Sequence, residues 1–230
     1  MFERKKYKSF AKTQLSGRWK IPILMTLLIF IVSAIFSVPD VIQMLRSNAL
    51  EAAGEVNTAA SSTSLVTSIV SMIASAILEV ASICVYIKMS RSPEPVTFSD
   101  FIEGFNNWAR ATLGVLWQCL WTFLWMLLLI IPGIIKSIAY SQMFYIIAEY
   151  KEVSVTKAMR ISIEITKGHK WDLFVLSLSF LGWAILSAFT LGILNFWLFP
   201  YMNMTYVNAY HALMKEALEE GRIKPEDLSE

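Results

Sequence analysis

Residues 113–148 read LGVLWQCLWTFLWMLLLIIPGIIKSIAYSQMFYIIA, an apolar stretch in which Lys136 is the only charge. A helix needs about 20 residues to cross a hydrocarbon core of about 30 Å, so this stretch is too long for one crossing and long enough for two. Pro132 and Gly133 predict a reversal near its middle, because proline removes a backbone donor and glycine adopts the angles of tight turns. The stretch therefore predicts a transmembrane helical hairpin.

The rest of the chain repeats this apolar character. It has 230 residues, of which 56% are hydrophobic and 17% charged, and its mean hydropathy of +0.53 is typical of a membrane protein. A first apolar run ends at Pro39, and the last contains a second predicted reversal at Gly192. We expect one all-α transmembrane domain over residues 1–230. Its six predicted transmembrane helices are 21–38, 65–87, 113–131, 134–150, 172–189 and 193–213.

The basic residues predict the orientation of these helices. In the six-span arrangement every Lys and Arg except Arg46 and Lys136 falls on one side, and cytoplasmic loops near membrane helices are enriched in such residues. Both termini are therefore expected in the cytoplasm, with the protein in the plasma membrane. A signal peptide is the competing interpretation of residues 1–38, but five further spans would still need an anchor of this orientation.

Three similar units are visible along the chain. Each predicted hairpin follows a mixed polar and apolar segment that closes on glycine and tryptophan, at 17–19, 104–108 and 168–171. The segment 153–166 has the spacing of an amphipathic helix that lies in the membrane interface. The second and third return helices also share one spacing of Tyr, Met, Tyr and Ala, at 140, 143, 145, 148 and at 201, 204, 206, 209. We therefore expect three hairpins, each preceded by an interfacial amphipathic segment, with chance recurrence of common membrane residues as the alternative.

One family shows a related pattern. Ile131 to Ile134, Thr166 to Trp171, Leu178 to Trp183 and Thr190 to Gly192 carry it in this chain. These residues resemble the domain-of-unknown-function 975 family, integral membrane proteins of mostly Gram-positive bacteria. The middle of the pattern also looks like the membrane domain of some glycerophosphodiester phosphodiesterases. This chain has no segment that resembles their catalytic domain, so the resemblance implies a membrane module and no reaction.

Glu79 is the acidic residue that the sequence places inside a spanning helix. Such a carboxylate must be protonated, paired or in contact with water. It lies roughly 22 Å below the outer interface, whereas Lys136 lies near the external turn, so the two should not pair. Glu79 is either a proton, cation or ligand site, or a neutral acid bonded to a hydroxyl, and the sequence leaves both interpretations open. Lys136 is expected to extend to the outer surface.

Basic residues at the cytoplasmic interface are candidates for lipid contact. Lys167, His169, Lys170 and Trp171 are predicted to meet anionic headgroups, because no acid is expected at a useful spacing from His169. The N-terminal run from Arg4 to Lys8 is interpreted mainly as an orientation signal, with specific lipid binding as the lesser alternative.

The sequence favours a role other than catalysis. It lacks phosphate loops, metalloprotease and hydrolase motifs, and its two cysteines lie apart in apolar runs. We expect no enzyme activity, cofactor, metal or nucleic-acid partner. The predicted role is an accessory or protective subunit of a transport, secretion or envelope system, in contact with the bilayer and with a membrane protein or a second copy. The alternatives are a small transporter or channel that uses Glu79, and a module that binds lipid headgroups.

Overall fold

A computed structural model describes residues 2–52 and 62–229, and within these ranges the regular elements are all helices. These two ranges contain eleven α-helices and two 3₁₀ turns, at Phe105–Asn107 and Pro225–Leu228. The α-helices are α1 Arg4–Leu15, α2 Lys20–Ala52, α3 Ser62–Arg91, α4 Phe98–Gly104, α5 Trp108–Leu128, α6 Ile130–Tyr140, α7 Met143–Glu149, α8 Val155–Ile165, α9 Lys170–Leu178, α10 Leu181–Phe189 and α11 Asn195–Glu219.

Five stretches of helix are long and apolar enough to cross a membrane. This confirms an all-helical chain with the composition of a membrane protein. Three of the five combine consecutive helices: α4 with α5 through the 3₁₀ turn at Phe105–Asn107, α6 with α7, and α9 with α10. The five stretches are Lys20–Ala49, Val66–Arg91, Phe98–Leu128, Ile130–Glu149 and Lys170–Phe189.

A short helix lies before each long outgoing helix, at α1, α4 and α8. In α8 the apolar side packs on the rest of the protein, and the Ser154 side chain accepts a hydrogen bond from the Lys157 backbone N–H at 3.4 Å. This bond caps a helix start that would otherwise leave a donor unpaired. Thr97 and Asp100 form a reciprocal cap at the start of α4.

Helix α11 corresponds to the sixth predicted span but is not among the five apolar stretches. It contains several polar residues, yet it packs against α1, α2 and α3, and many of its positions between Leu198 and Ala217 are buried. Its Asn208 side chain donates to the Gln14 side-chain oxygen at 2.8 Å and to the Tyr7 carbonyl at 3.4 Å. The polar side chains of α11 lower its mean hydropathy. They are tolerated because neighbouring helices provide them with hydrogen-bond partners.

The reversal that the sequence predicts at Pro132 and Gly133 lies earlier, at Leu129. Leu129 is extended, with φ of −162° and ψ of 140°, and α6 begins at the next residue. Pro132 fits in the first turn of α6 because the backbone donor that proline lacks has no helical partner there. Gly133 instead allows close packing, since a Cβ atom there would lie 2.5 Å from the Cγ atom of Met126.

Of two other predicted breaks, the turn at Gly192 is confirmed and the helix end at Pro39 is wrong. Gly192 lies between α10 and α11 with φ of +84°, a conformation that favours glycine. Pro39, which the sequence places at the end of the first span, lies inside α2. A membrane helix tolerates proline because only one backbone donor is lost and nearby groups satisfy the freed carbonyl.

Candidate functional site

A polar network joins the C-terminal ends of α3 and α7 to the second half of α11. At its centre is Glu149 of α7, whose side chain is only 4% exposed. Its carboxylate forms an ion pair with Arg91 of α3 and accepts a hydrogen bond from the Tyr210 hydroxyl of α11. A buried carboxylate is stable only when it is paired in this way, so the contact holds the three helices together.

Aromatic rings and a histidine extend this network. The Tyr145 and Tyr210 rings stack with their centroids 5.4 Å apart. His211 directly follows Tyr210 in α11, and its Nε2 atom shares a hydrogen bond of 2.8 Å with the Ser90 Oγ atom of α3. We call Ser90, Arg91, Tyr145, Glu149, Tyr210 and His211 the inner network.

Glu79 lies on α3, about 18 Å along the helix axis from Arg91. Its side chain is exposed, whereas those of Leu78 and Val80 are buried. None of the hydrogen bonds and ion pairs among the described residues involves Glu79.

Two arginines bind helix ends in equivalent places in the first two units. Each lies at or just before the start of an outgoing helix, and its guanidinium donates to carbonyls that end the return helix of the same unit. These carbonyls have no partner within their own helix, so the arginines satisfy them. Arg18 donates to the backbone carbonyls of Met89 at 3.2 Å, Ser92 at 2.8 Å and Glu94 at 3.2 Å. Arg110 donates to the backbone carbonyls of Ile147 at 3.0 Å, Tyr150 at 2.8 Å and Val153.

His169 has the corresponding place in the third unit, and the expectation that no acid lies near it is wrong. Its Nδ1 atom lies 3.1 Å from Asp172 Oδ2, and its Nε2 atom lies 2.6 Å from Glu216 Oε1 near the end of α11. Burial lowers the pKa of His169, but the hydrogen bonds to Glu216 and Asp172 raise it more, so its pKa lies above the ordinary value. His169 lowers the pKa of Glu216 in return. The pair therefore favours the charged form of both residues.

The four residues predicted to meet headgroups thus separate into two sets. His169 turns inward, with a side chain only 14% exposed. Lys167 and Trp171 are exposed, Lys170 is half-buried, and the Trp171 ring lies 5.3 Å from that of Phe174. The exposed members are free to contact a headgroup, whereas His169 joins α9 to α11.

Lys136 contacts an aromatic ring of the neighbouring helix. Its Nζ atom lies 4.6 Å from the centre of the Trp125 ring, close enough for a cation–π interaction. Among the described residues, no ion pair joins Lys136 to Glu79.

The inner network was not foreseen from the sequence. Each titratable member is paired with a group on another helix, so the network fixes helix ends against one another. Within the described residues, no group of three or more His, Cys, Asp or Glu side chains could hold a metal ion.

Comparison with known proteins gives one match. A family model described as Protein of unknown function (DUF975) matches residues 1–134 and 111–217. No curated protein and no solved structure matches the chain. The resemblance to the membrane domain of phosphodiesterases thus receives no support.

Proposed function

The chain belongs to the family described as Protein of unknown function (DUF975), and from this premise and its own geometry we propose that it crosses the bacterial plasma membrane six times. The crossings form three hairpins, with both termini in the cytoplasm. The five apolar stretches supply five spans, and the protein-enclosed α11 supplies the sixth. The placement of Lys and Arg supports the orientation.

We propose that the protein works by contact, as a non-enzymatic accessory or protective subunit of a transport, secretion or envelope system. The exposed surface of α5 is the observation that carries this proposal. Only Ala111 and Gly114 of its twenty-one residues are buried, and Trp121, Phe123 and Leu127 are exposed. Membrane helices associate by van der Waals packing, and the large exposed side chains of α5 offer much surface for it.

Crosslinking in intact cells tests this proposal. After mild extraction, the proteins recovered with the chain are quantified against an unrelated six-span protein. We expect one stoichiometric partner, or a second copy, whose recovery falls at least about tenfold when Trp121→Ala and Phe123→Ala are combined, because two large contacts are removed. Phe189→Ala is the matched control, since Phe189 is an exposed aromatic residue on α10. Equal recovery from both variants would overturn the proposal.

The second candidate is a small transporter or channel that uses Glu79. It is favoured by the position of that carboxylate on α3, inside an apolar stretch long enough to cross a membrane and without a hydrogen bond or ion pair among the described residues. Glu79→Gln separates the two candidates because it keeps the shape of the side chain and removes its titration. An accessory subunit should recover its partner unchanged with Glu79→Gln, whereas a proton-coupled transporter should lose pH-dependent flux in proteoliposomes.

A further inference from the structure

The first helix carries positive charge where helices ordinarily avoid it. Its first turn contains Arg4, Lys5 and Lys6 and no acid, although the positive end of the helix dipole disfavours cations there. Arg4, Lys8 and Lys12 are four residues apart and lie along one face, where like charges repel. Burial lowers the pKa of Lys8, and the charges of Arg4 and Lys12 lower it further. An anion bound to this face would relieve both effects.

This charged face borders a cavity of about 550 Å³ between the start of α1 and the break that separates α9 from α10. Arg4, Lys5, Lys8 and the aromatic ring of Phe2 line one side, and Ser179 lines the other. The cavity has one lining carboxylate, Glu3, which lies 3.8 Å from Lys6. In the described part of the chain, Arg4 and Lys5 form no ion pair.

Lys8 connects the cavity to the helix break. Its Nζ atom donates to the Ser179 carbonyl at 3.3 Å and lies 4.0 Å from the centre of the Phe180 ring. Lys8 is therefore held in place before any ligand arrives, with donor capacity left over on its ammonium group. The apolar helix α10 begins directly after this break, and its Leu181 and Ile185 are exposed.

We propose that this cavity binds an anionic phospholipid of the cytoplasmic leaflet. The phosphate lies among Arg4, Lys5 and Lys8, and the acyl chains follow the exposed apolar surface that starts at α10. The cytoplasmic assignment of the leaflet rests on the proposed orientation, but the recognition of the phosphate does not. A soluble phosphate ester shares the headgroup chemistry and lacks the acyl chains, so experiment can distinguish the two sources.

Native mass spectrometry of the full chain in detergent micelles tests the proposal. The micelles contain equal amounts of phosphatidylglycerol and phosphatidylcholine, and the retained lipid is counted for each protein. Both lipids reach every surface in a micelle, so the result does not depend on membrane orientation. We expect phosphatidylglycerol to be retained about tenfold more than phosphatidylcholine, because several cations face one phosphate.

The triple variant Arg4→Gln, Lys5→Gln and Lys8→Gln should remove this preference. Its matched control is Lys151→Gln, Lys215→Gln and Lys224→Gln, which removes the same charge from exposed positions elsewhere. Lys8→Arg alone should keep the preference, and a circular-dichroism spectrum equal to that of the wild type shows that the triple variant is folded. Loss of the preference in the control as well, or its survival in the triple variant, would overturn the proposal.

A competition arm identifies the source of the phosphate. Inorganic phosphate is added at millimolar concentration to the wild-type protein that retains phosphatidylglycerol. The lipid should stay bound, because its acyl chains contribute to the contact with α10. Displacement of the lipid by inorganic phosphate would contradict a lipid site and assign the cavity to a soluble phosphate compound.

Discussion

Gly104→Ala should destabilise the protein by about 1–3 kcal/mol, which is enough to reduce the yield of folded material. A Cβ atom at this position would lie 2.6 Å from the Cα atom of Ala81 and 3.0 Å from its carbonyl oxygen. Both of these are backbone atoms of α3, so no side-chain rotation relieves the contact. Helix α4 would have to move away from α3, and the buried Phe101 would lose part of its packing.

Thermal unfolding in detergent measures this effect, with fluorescence-detected size exclusion as a check of the folded fraction. Gly182→Ala is the matched control, because a Cβ atom there meets no atom within 4 Å and the residue lies inside α10. That control should leave the midpoint unchanged or raise it slightly, since alanine favours helix over glycine. A wild-type midpoint for Gly104→Ala would mean that α3 and α4 do not approach as closely as described.

Arg91→Met should destabilise the protein by about 2–3 kcal/mol. The substitution keeps most of the aliphatic chain but leaves the carboxylate of Glu149 without its cation in a buried position. The expected loss is at the lower end for a broken buried pair, because the Arg91 side chain is 57% exposed and water weakens the attraction. Tyr210 still donates to Glu149 in the variant, which limits the loss further.

A second substitution shows whether the unpaired charge is the cause. Adding Glu149→Gln to Arg91→Met should recover part of the stability, because the amide removes the charge and keeps the shape. Lys215→Met is the control, since the Lys215 pair with Glu219 at 3.7 Å is exposed on both sides and should contribute only about 0–1 kcal/mol. If Arg91→Met and Lys215→Met melt alike, the inner network does not stabilise the bundle.

The sequence was sufficient to predict the helices but not the inner network. Uninterrupted apolar runs, and the glycine and tryptophan residues that precede them, are local patterns that can be read directly from the sequence. The Tyr210 and Glu149 contact joins residues that are 61 positions apart, and no local pattern marks it. Asp172 was different, because it lies only three residues after His169, a spacing that is visible in the sequence and that our expectation overlooked.

Hydropathy and turn-forming residues each failed to predict one feature of the fold. A hydropathy scale measures preference for lipid, so it underestimates α11, whose neighbours are other helices. Proline and glycine together indicate a turn in an average chain. At Pro132 and Gly133 each instead serves helix α6, proline within its first turn and glycine at a close contact.

Cysteine labelling in intact cells tests the proposed topology most directly. In a variant whose natural cysteines, Cys84 and Cys119, are replaced by serine, single cysteines are placed at four exposed positions: Leu129, Lys151, Leu191 and Lys215. A membrane-impermeant maleimide should label the cysteines at 129 and 191, in the turns before α6 and α11, from outside the cell. The cysteines at 151 and 215 should react only after permeabilisation. Labelling of 191 and 215 from the same side would show that α11 does not cross the membrane and would contradict the three-hairpin arrangement.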